Sequence, residues 1–180
     1  MRFVPSVFAT GFALAASLFA GEFTLHSNDL EGQLTKTQEY SGFGCSGANI
    51  SPELHWSNAP EGTKSYAVTV YDPDAPTGSG WWHWVVYDIP ASAKGLPADF
   101  GNTAKKQAIP AVQGMTDYGK PGFGGACPPK GDKPHRYFFT VHALDVAELG
   151  ADAQASAAKI GFMINAHSLA KATILSYYRR

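Results

Sequence analysis

Hydrophobic and polar residues alternate with a period of two along most of the chain after residue 20, as they do in half-buried strands. This alternation predicts five strands: Glu22–Ser27, Leu54–Trp56, Ser65–Asp72, Trp81–Ile89 and His135–Leu144. Glycine and proline cluster over residues 72–80 and 119–134, which predicts loops between the strands.

The C-terminal region has a different pattern, with many alanines and with apolar residues at helical spacing. It predicts helices over Ala153–Lys159 and Phe162–Tyr177, which would cover an edge or a face of the sheet. The predicted fold is therefore mainly β, a β-sandwich or barrel with C-terminal helices.

Residues 1–20 differ from the rest of the chain in composition. Arg2 is the only charged residue there, and a long apolar stretch ends in small residues. This order predicts a secretory signal peptide, followed by one domain over residues 21–180 in a periplasmic or secreted protein. A membrane anchor of about 20 residues is the alternative.

The charge of the chain narrows the classes of partner. The formal net charge is −1, and lysine and arginine never form a run longer than two residues. A nucleic-acid platform needs a basic face, so the composition argues against nucleic acid as a partner. It also weakens the case for docking on anionic membranes, and we expect no integral membrane association once the leader is removed.

The chain has two cysteines, Cys45 and Cys127. In an exported protein such a pair predicts a disulfide, although two separate buried thiols are the alternative. Two cysteines cannot fill a structural zinc site, which needs four ligands. We predict no metal and no cofactor.

Two segments place a carboxylate and an imidazole close to aromatic residues. Asp72 ends a predicted strand, and the prolines after it make a rigid turn that would fix the direction of its carboxylate. His83 lies near the start of the next strand, where alternation places it on the face opposite Trp82 and Trp84. Each residue also has a purely structural alternative. Asp72 would only cap the turn, and His83 would only be a strand residue whose hydrogen bonds are made within the protein.

A third segment combines a flexible loop with two polar side chains. A glycine-rich and proline-rich loop over residues 122–131 precedes His135 and Tyr137, which lie two apart on a strand and therefore share a face. Glycines would let backbone N–H groups approach a ligand closely. This arrangement predicts a concavity rich in donors; the alternative is a hairpin loop with a surface histidine and a core tyrosine.

These segments resemble the two signature regions of the phosphatidylethanolamine-binding protein family, also called Raf kinase inhibitor-like proteins. The strings that carry the resemblance are Asp72-Pro73-Asp74-Ala75-Pro76, Trp81…His83-Trp84-Val85-Val86 and Gly124-Gly125-Ala126-Cys127-Pro128-Pro129…His135-Arg136-Tyr137. The segment over residues 44–52 is similar to the bacterial branch. The motifs follow in order from about residue 40 to 170.

The resemblance implies an antiparallel β-sandwich with a small pocket for phosphate-like or other anionic headgroups. It places six residues around this pocket: Asp72, Trp81, His83, Pro129, His135 and Tyr137. Phe123 stands where many members of the family carry tyrosine, which removes one possible hydroxyl donor, and Ala126 stands where they carry glycine or proline.

We therefore expect an exported binding protein for a small anionic or phosphorylated ligand, not an enzyme. Imidazole N–H and phenol O–H groups would donate to phosphate oxygens, and binding would weaken as the pH rises and the histidines lose charge. A protein-interaction or inhibitor module that acts through the surface around the pocket is the alternative. A hydrolase fits less well, because the sequence has no G-x-S-x-G or H-x-x-x-H motif.

Overall fold

The structure, a computed structural model, describes residues 21–152 and 154–180. The predicted signal peptide and the first residue of the predicted helix at Ala153 lie outside the described residues. The elements, in chain order, are β1 (Thr24–His26), β2 (Ser41–Gly42), β3 (Cys45–Ser46), β4 (Leu54–Ser57), β5 (Ser65–Asp72), β6 (Trp81–Pro90), β7 (Gly95–Leu96), β8 (Val112–Gln113), β9 (His135–Leu144), α1 (Ala157–His167) and β10 (Ser168–Tyr178).

Two antiparallel sheets form a sandwich. The larger sheet has five strands in the order β10-β9-β5-β6-β8, and the smaller has three in the order β1-β4-β7. Apolar side chains from the facing surfaces, among them Leu54, Trp56, Val68 and Phe139, make one core between the sheets. The predicted mainly β fold and all five predicted strands are confirmed.

The outer face of the larger sheet is covered in part by α1. Ile160 and Ile164 of the helix pack in a second core with Val85 and Tyr87 of β6. The helix begins after Ser156, whose side chain accepts a hydrogen bond from the backbone N–H of Lys159 as an N-cap. Sheet residues on β5, β6 and β9 are therefore buried on both faces.

The predicted second helix, Phe162–Tyr177, is wrong over most of its length. Within the described residues of this region, one helix, α1, spans parts of both predicted helices and is followed by the eleven-residue strand β10. This strand pairs with β9 from Ser168 to Tyr178, so ladder hydrogen bonds replace helical ones. Its burial alternates with period two, and its inner side chains Ala172 and Ile174 pack on the core between the sheets.

No helix within residues 21–152 and 154–180 is long and apolar enough to cross a membrane.

Candidate functional site

A cavity of about 170 Å³ opens at one end of the larger sheet, where β5 ends and β6 and β9 begin. The turn after β5 and the glycine-rich and proline-rich loop before β9 form its walls. The lining residues are Phe43, Asp72, Ala75, Pro76, Thr77, Trp81, His83, Tyr118, Cys127, Pro128, Pro129, His135 and Tyr137. All six residues that the sequence predicts around a pocket line this one cavity.

A β-bulge brings His83 to the cavity. Val70 of β5 pairs with Trp84 of β6, but the next residue, Tyr71, pairs with Trp82, so His83 is an extra residue on β6. A bulge redirects the side chain of the extra residue. His83 consequently lies on the inner side together with Trp84, while Trp82 packs on the outer core. The prediction that His83 faces away from Trp82 is correct, and the prediction that it faces away from Trp84 is wrong.

The glycine-rich loop holds the His83 ring by one nitrogen. Nδ1 of His83 lies 2.8 Å from the carbonyl oxygen of Gly124 and 3.1 Å from that of Gly125. Carbonyl oxygens only accept hydrogen bonds, so Nδ1 carries a proton and donates. Burial lowers the pKa of His83, against the opposing effect of these carbonyls and of Asp72. In the neutral ring that burial favours, Nε2 is therefore an acceptor, in contrast to the expected donor.

The same loop does not offer the backbone N–H groups that its glycines suggested. The N–H of Gly124 donates to the carbonyl oxygen of His83 at 2.8 Å, and the N–H of Gly125 donates to Oδ1 of Asn49 at 2.7 Å. The glycines are needed for close packing instead. A Cβ at Gly124 would lie 2.2 Å from the ring of Tyr118, and one at Gly125 would lie 2.0 Å from the carbonyl oxygen of Gln38.

Asp72 and His135 form a buried pair in the lining of the same cavity. Oδ2 of Asp72 accepts from Nδ1 of His135 at 2.8 Å, and the two side chains are only 3% and 2% exposed. Oδ1 of Asp72 accepts from the backbone N–H of Asp74 at 2.8 Å, which closes the turn. Nε2 of His135 lies 3.5 Å from Oδ2 of Asp132. A carboxylate oxygen thus lies near each ring nitrogen of His135.

Asp74 fixes the turn after β5 without lining the cavity. It accepts from Nε of Arg136 at 2.8 Å, from Nη2 at 3.0 Å and from the backbone N–H at 2.9 Å. These bonds hold the pKa of the Asp74 carboxyl well below its usual range, with the charge of Lys133 adding to the effect. The bidentate pair joins the turn to the first residues of β9, which carry His135 and Tyr137.

Three polar atoms of the cavity residues have no partner. Nε1 of Trp81, Oη of Tyr137 and Nε2 of His83 are buried and make no hydrogen bond within the protein. The rings of His83 and Tyr137 lie edge to face, with centroids 5.1 Å apart. Burial raises the pKa of Tyr137 far above its usual value, so its hydroxyl keeps its proton and can donate. Buried polar groups are rarely left unpaired in proteins, so these atoms indicate a place for a polar ligand.

Sequence reasoning missed two aromatic residues of the site. Tyr118 stacks on Tyr40 with ring centroids 4.2 Å apart, lies edge to face with Trp81, and donates to the carbonyl oxygen of Gly125 at 2.7 Å. Phe43 is 70% exposed at the rim, although it stacks on Tyr118. No short motif marks either residue, since Phe43 reaches the cavity from the β2–β3 hairpin, far away in sequence.

The predicted disulfide between Cys45 and Cys127 is present. It ties the β2–β3 hairpin to the loop before β9, and Cys127 itself lines the cavity. Arg180 supports the same junction, because its guanidinium donates to the carbonyl oxygens of Pro128 and Gly44, each at 2.7 Å.

Glu39 fixes the base of the same hairpin. Its side chain is fully buried and accepts from Lys36, from the backbone N–H of Ser46 and from the hydroxyl of Tyr178 on β10. Burial alone raises the pKa of Glu39, but these donors outweigh it and hold the pKa at about 2. No cluster of three or more His, Cys, Asp or Glu side chains with metal-binding geometry occurs in the part of the chain that the structure describes.

The fold and the site together define a class of binding protein. Its members have an antiparallel sandwich with a small cavity at the ends of the central strands, and here Asp72, two histidines and Tyr137 line that cavity. The sequence profile of the phosphatidylethanolamine-binding protein matches residues 26–179. The chain belongs to this family, which confirms the resemblance seen in the motifs.

Individual relatives agree with the family. UPF0098 protein YbcL of Escherichia coli K12 is 54% identical over 88% of each chain, and UPF0098 protein YbhB of the same organism is 50% identical over 86% of this chain and 98% of its own. The crystal structure of E. coli YbcL, described as a new member of the mammalian PEBP (phosphatidylethanolamine-binding protein) family, superposes on this structure with a TM-score of 0.86 at 53% identity. That comparison covers 89% of this chain and 99% of YbcL. A PEBP homologue from Chlamydia trachomatis, 29% identical, gives a TM-score of 0.72 over 88% and 97% of the two chains.

Proposed function

We propose that this protein binds a small phosphoryl or similar oxyanion headgroup in the cavity between Asp72, His83, His135 and Tyr137. The observation that carries the proposal is a set of three buried polar atoms without partners among the residues that line it: Oη of Tyr137, Nε2 of His83 and Nε1 of Trp81. A bound headgroup would supply the missing hydrogen bonds. The cavity volume of about 170 Å³ suits a group of this size rather than a whole lipid.

The binding of a bare headgroup is expected to be weak. Hydrogen bonds that involve a charged partner contribute roughly 1.5–3 kcal/mol each. Two or three of them barely exceed the ~4 kcal/mol or more that association loses in translational and rotational freedom. A dissociation constant from high micromolar to millimolar follows, and tighter physiological binding would come from further contacts of a larger phosphorylated ligand.

We also propose that the protein is exported. The disulfide between Cys45 and Cys127 supports this, because such bonds persist in oxidising compartments. The apolar residues 1–20 have the composition of a secretory signal. Fractionation of the native host, with detection of the processed chain outside the cytoplasm, tests the proposal; retention in the cytoplasm contradicts it.

Within this proposal the site binds its ligand and does not convert it. In a hydrolase of the Asp–His type, the distal nitrogen of the histidine faces a nucleophile. Here Nε2 of His135 lies near Asp132, and the hydroxyl of Thr77 donates to the carbonyl oxygen of Gly80. Incubation with p-nitrophenyl phosphate and p-nitrophenyl acetate should give no turnover above buffer, and saturable turnover lost in His135→Ala would contradict this role.

Calorimetric titration with inorganic phosphate and phosphoethanolamine tests the binding proposal. Tyr137→Phe should weaken binding by about tenfold, since it removes one donor. Tyr87→Phe is the matched control, because Tyr87 is an equally buried tyrosine in the outer core, away from the cavity. Binding that is absent in the wild type, or that Tyr137→Phe leaves unchanged, would rule out this role for the cavity.

An interaction module that uses the surface around the cavity is the second candidate, and the exposed ring of Phe43 at the rim is the observation that favours it. In this case Phe43→Ser would abolish capture of a protein partner from the host extract. A His83→Ala/His135→Ala double variant would keep that capture and lose phosphate binding.

A further inference from the structure

The hydrogen-bonding character of the cavity wall is set by the way in which His83 is held. Because Nδ1 donates to the carbonyl oxygens of Gly124 and Gly125, the neutral ring presents Nε2 with a free lone pair. A fully deprotonated phosphoryl oxygen is also only an acceptor. Two acceptors repel each other, so a proton has to lie between Nε2 and the oxygen that approaches it.

No fixed positive charge lines the cavity to offset a highly charged ligand. Of its thirteen described lining residues none is lysine or arginine, and the carboxylate of Asp72 is already paired with His135. The nearby cations are engaged elsewhere: Arg136 and Lys133 contact Asp74, and Arg180 donates to loop carbonyls. A dianion would lose its hydration without gaining a counter-charge.

The glycine-rich loop adds no free backbone donor at Gly124, Gly125 or Ala126. Its N–H groups at Gly124, Gly125 and Ala126 donate to protein acceptors, at 2.8, 2.7 and 3.2 Å. Three unpartnered polar atoms of the lining remain for a ligand: Nε2 of His83, which can only accept, and two donors, the hydroxyl of Tyr137 and the indole N–H of Trp81. This set matches a group that has one O–H together with negatively charged oxygens.

We propose, building on the phosphoryl-binding function above, that the cavity selects the protonated monoanion of a phosphate monoester or of inorganic phosphate. The ligand's P–O–H donates to Nε2 of His83, and the hydroxyl of Tyr137 donates to a charged oxygen of the same group. Phosphodiesters, which have no P–O–H near neutral pH, are excluded from this mode, and the headgroups of intact phosphatidylethanolamine and phosphatidylcholine are diesters.

The titratable groups around His83 come from every element that packs on it. They are Asp72 on β5, Asp117 and Tyr118 in the loop before β9, and Tyr137 on β9. The carboxylates of Asp72 and Asp117 favour a charged ring, whereas burial disfavours it more strongly and lowers the pKa of His83. The neutral ring is therefore the form that a ligand meets near neutral pH.

A pair of isosteric probes tests the proposal. Methylphosphonate and dimethylphosphinate are both monoanions at about pH 5 and differ only in that a P–O–H of the first is a P–CH₃ in the second. Binding is measured by chemical-shift titration of ¹⁵N-labelled protein. We expect methylphosphonate to bind about tenfold more tightly or better, since the phosphinate leaves Nε2 unpaired. Equal affinities, or tighter binding of dimethylphosphinate, would overturn the inference and leave the proposed function standing.

The tautomer of His83 gives a second readout that needs no mutation. Long-range ¹H–¹⁵N correlations distinguish a ring protonated at Nδ1, a ring protonated at Nε2 and an imidazolium. We expect the Nδ1–H neutral ring in the free protein and in the methylphosphonate complex. An imidazolium in the complex would show that the proton resides on the protein and would overturn the inference.

The His83→Gln variant separates the remaining alternatives. Its side-chain amide can donate as well as accept, so the preference for methylphosphonate should disappear while binding persists in a variant whose melting curve stays cooperative. A preference that persists in the folded variant would contradict the assigned role of Nε2. If inorganic phosphate and both probes fail to bind the wild type, the proposed function itself fails, together with this inference.

Discussion

At the scale of single residues, the two histidines of the cavity differ in what their ring nitrogens contact. Nδ1 of His83 donates to backbone carbonyls, whereas Nδ1 of His135 donates to the carboxylate of Asp72. The first arrangement leaves one unpartnered acceptor, and the second makes a buried polar pair. Tyr137 adds a hydroxyl with no partner. The residue types alone do not distinguish these roles, since hydrogen-bond partners decide them.

The two cavity tyrosines should respond in opposite ways to loss of the hydroxyl. Tyr137→Phe removes a buried polar atom without a partner, so the free energy of unfolding should stay constant or rise by up to about 1 kcal/mol. Tyr118→Phe removes the hydroxyl that donates to the carbonyl oxygen of Gly125, so the free energy of unfolding should fall by about 1 kcal/mol. Urea unfolding without phosphate measures both, and a Tyr137→Phe protein clearly less stable than Tyr118→Phe would contradict the assignment.

His142 predicts a pH-dependent loss of stability. Burial, reinforced by the charge of Lys171, lowers the pKa of His142 to about 4 from its ordinary value of 6.5. The folded state thus favours the neutral ring, so stability is complete above pH 6.5 and falls as the pH decreases toward 4. The measurement is the free energy of unfolding from urea titrations at several pH values between 4 and 6.5. His142→Gln should remove about 2–3 kcal/mol of its decrease over this range, and Lys171→Met should remove less. If the wild type and both variants lose stability equally as the pH falls, this account is wrong.

At the scale of elements, the long inner strands could be predicted because their alternation extends over eight to ten residues; β5 and β9 have the predicted bounds. Strand β10 could not, because Ala170 and Ala172 have high helix propensity, and only its pairing with β9 decides the conformation. The bulge at His83 depends on cross-strand register, which the sequence does not encode in any recognisable motif. The six predicted site residues come together, but the bulge and the loop carbonyls determine what they offer to a ligand.

Replacing either of two glycines by alanine tests the packing of the element that contains it. Gly161 lies within α1, and a Cβ there would meet the Trp82 ring at an ordinary 3.4 Å, so Gly161→Ala should stabilise by about 0.5–1 kcal/mol. A Cβ at Gly125 would lie 2.0 Å from the backbone oxygen of Gln38, so Gly125→Ala should destabilise by about 3 kcal/mol. Thermal unfolding of the two variants measures the contrast; similar effects of equal sign would contradict the packing described.

At the scale of the whole molecule, the disulfide joins two parts of the chain that are 82 residues apart, the β2–β3 hairpin and the loop before β9. The chain-entropy model assigns about 4.5 kcal/mol to a bridge of this span. Cys45→Ala/Cys127→Ala should therefore lower the denaturation midpoint strongly, as should reduction of the wild type. The double variant should also bind phosphate more weakly, because Cys127 and Phe43 line the cavity. An unchanged midpoint after verified reduction would contradict this contribution.

Several contacts hold the segments at one end of the larger sheet. Asp74 fixes the turn after β5, and the disulfide and Arg180 fix the loop before β9. The β-bulge sets the direction of the His83 side chain. A scaffold held this firmly suits recognition of a small group in a fixed orientation.

The most direct test of the central claim is a crystal structure of the protein soaked with inorganic phosphate. The account predicts one phosphate in the cavity, with one oxygen within hydrogen-bonding distance of Oη of Tyr137 and another within hydrogen-bonding distance of Nε2 of His83. An empty cavity at saturating phosphate, or phosphate bound only to surface lysines and arginines, would contradict it.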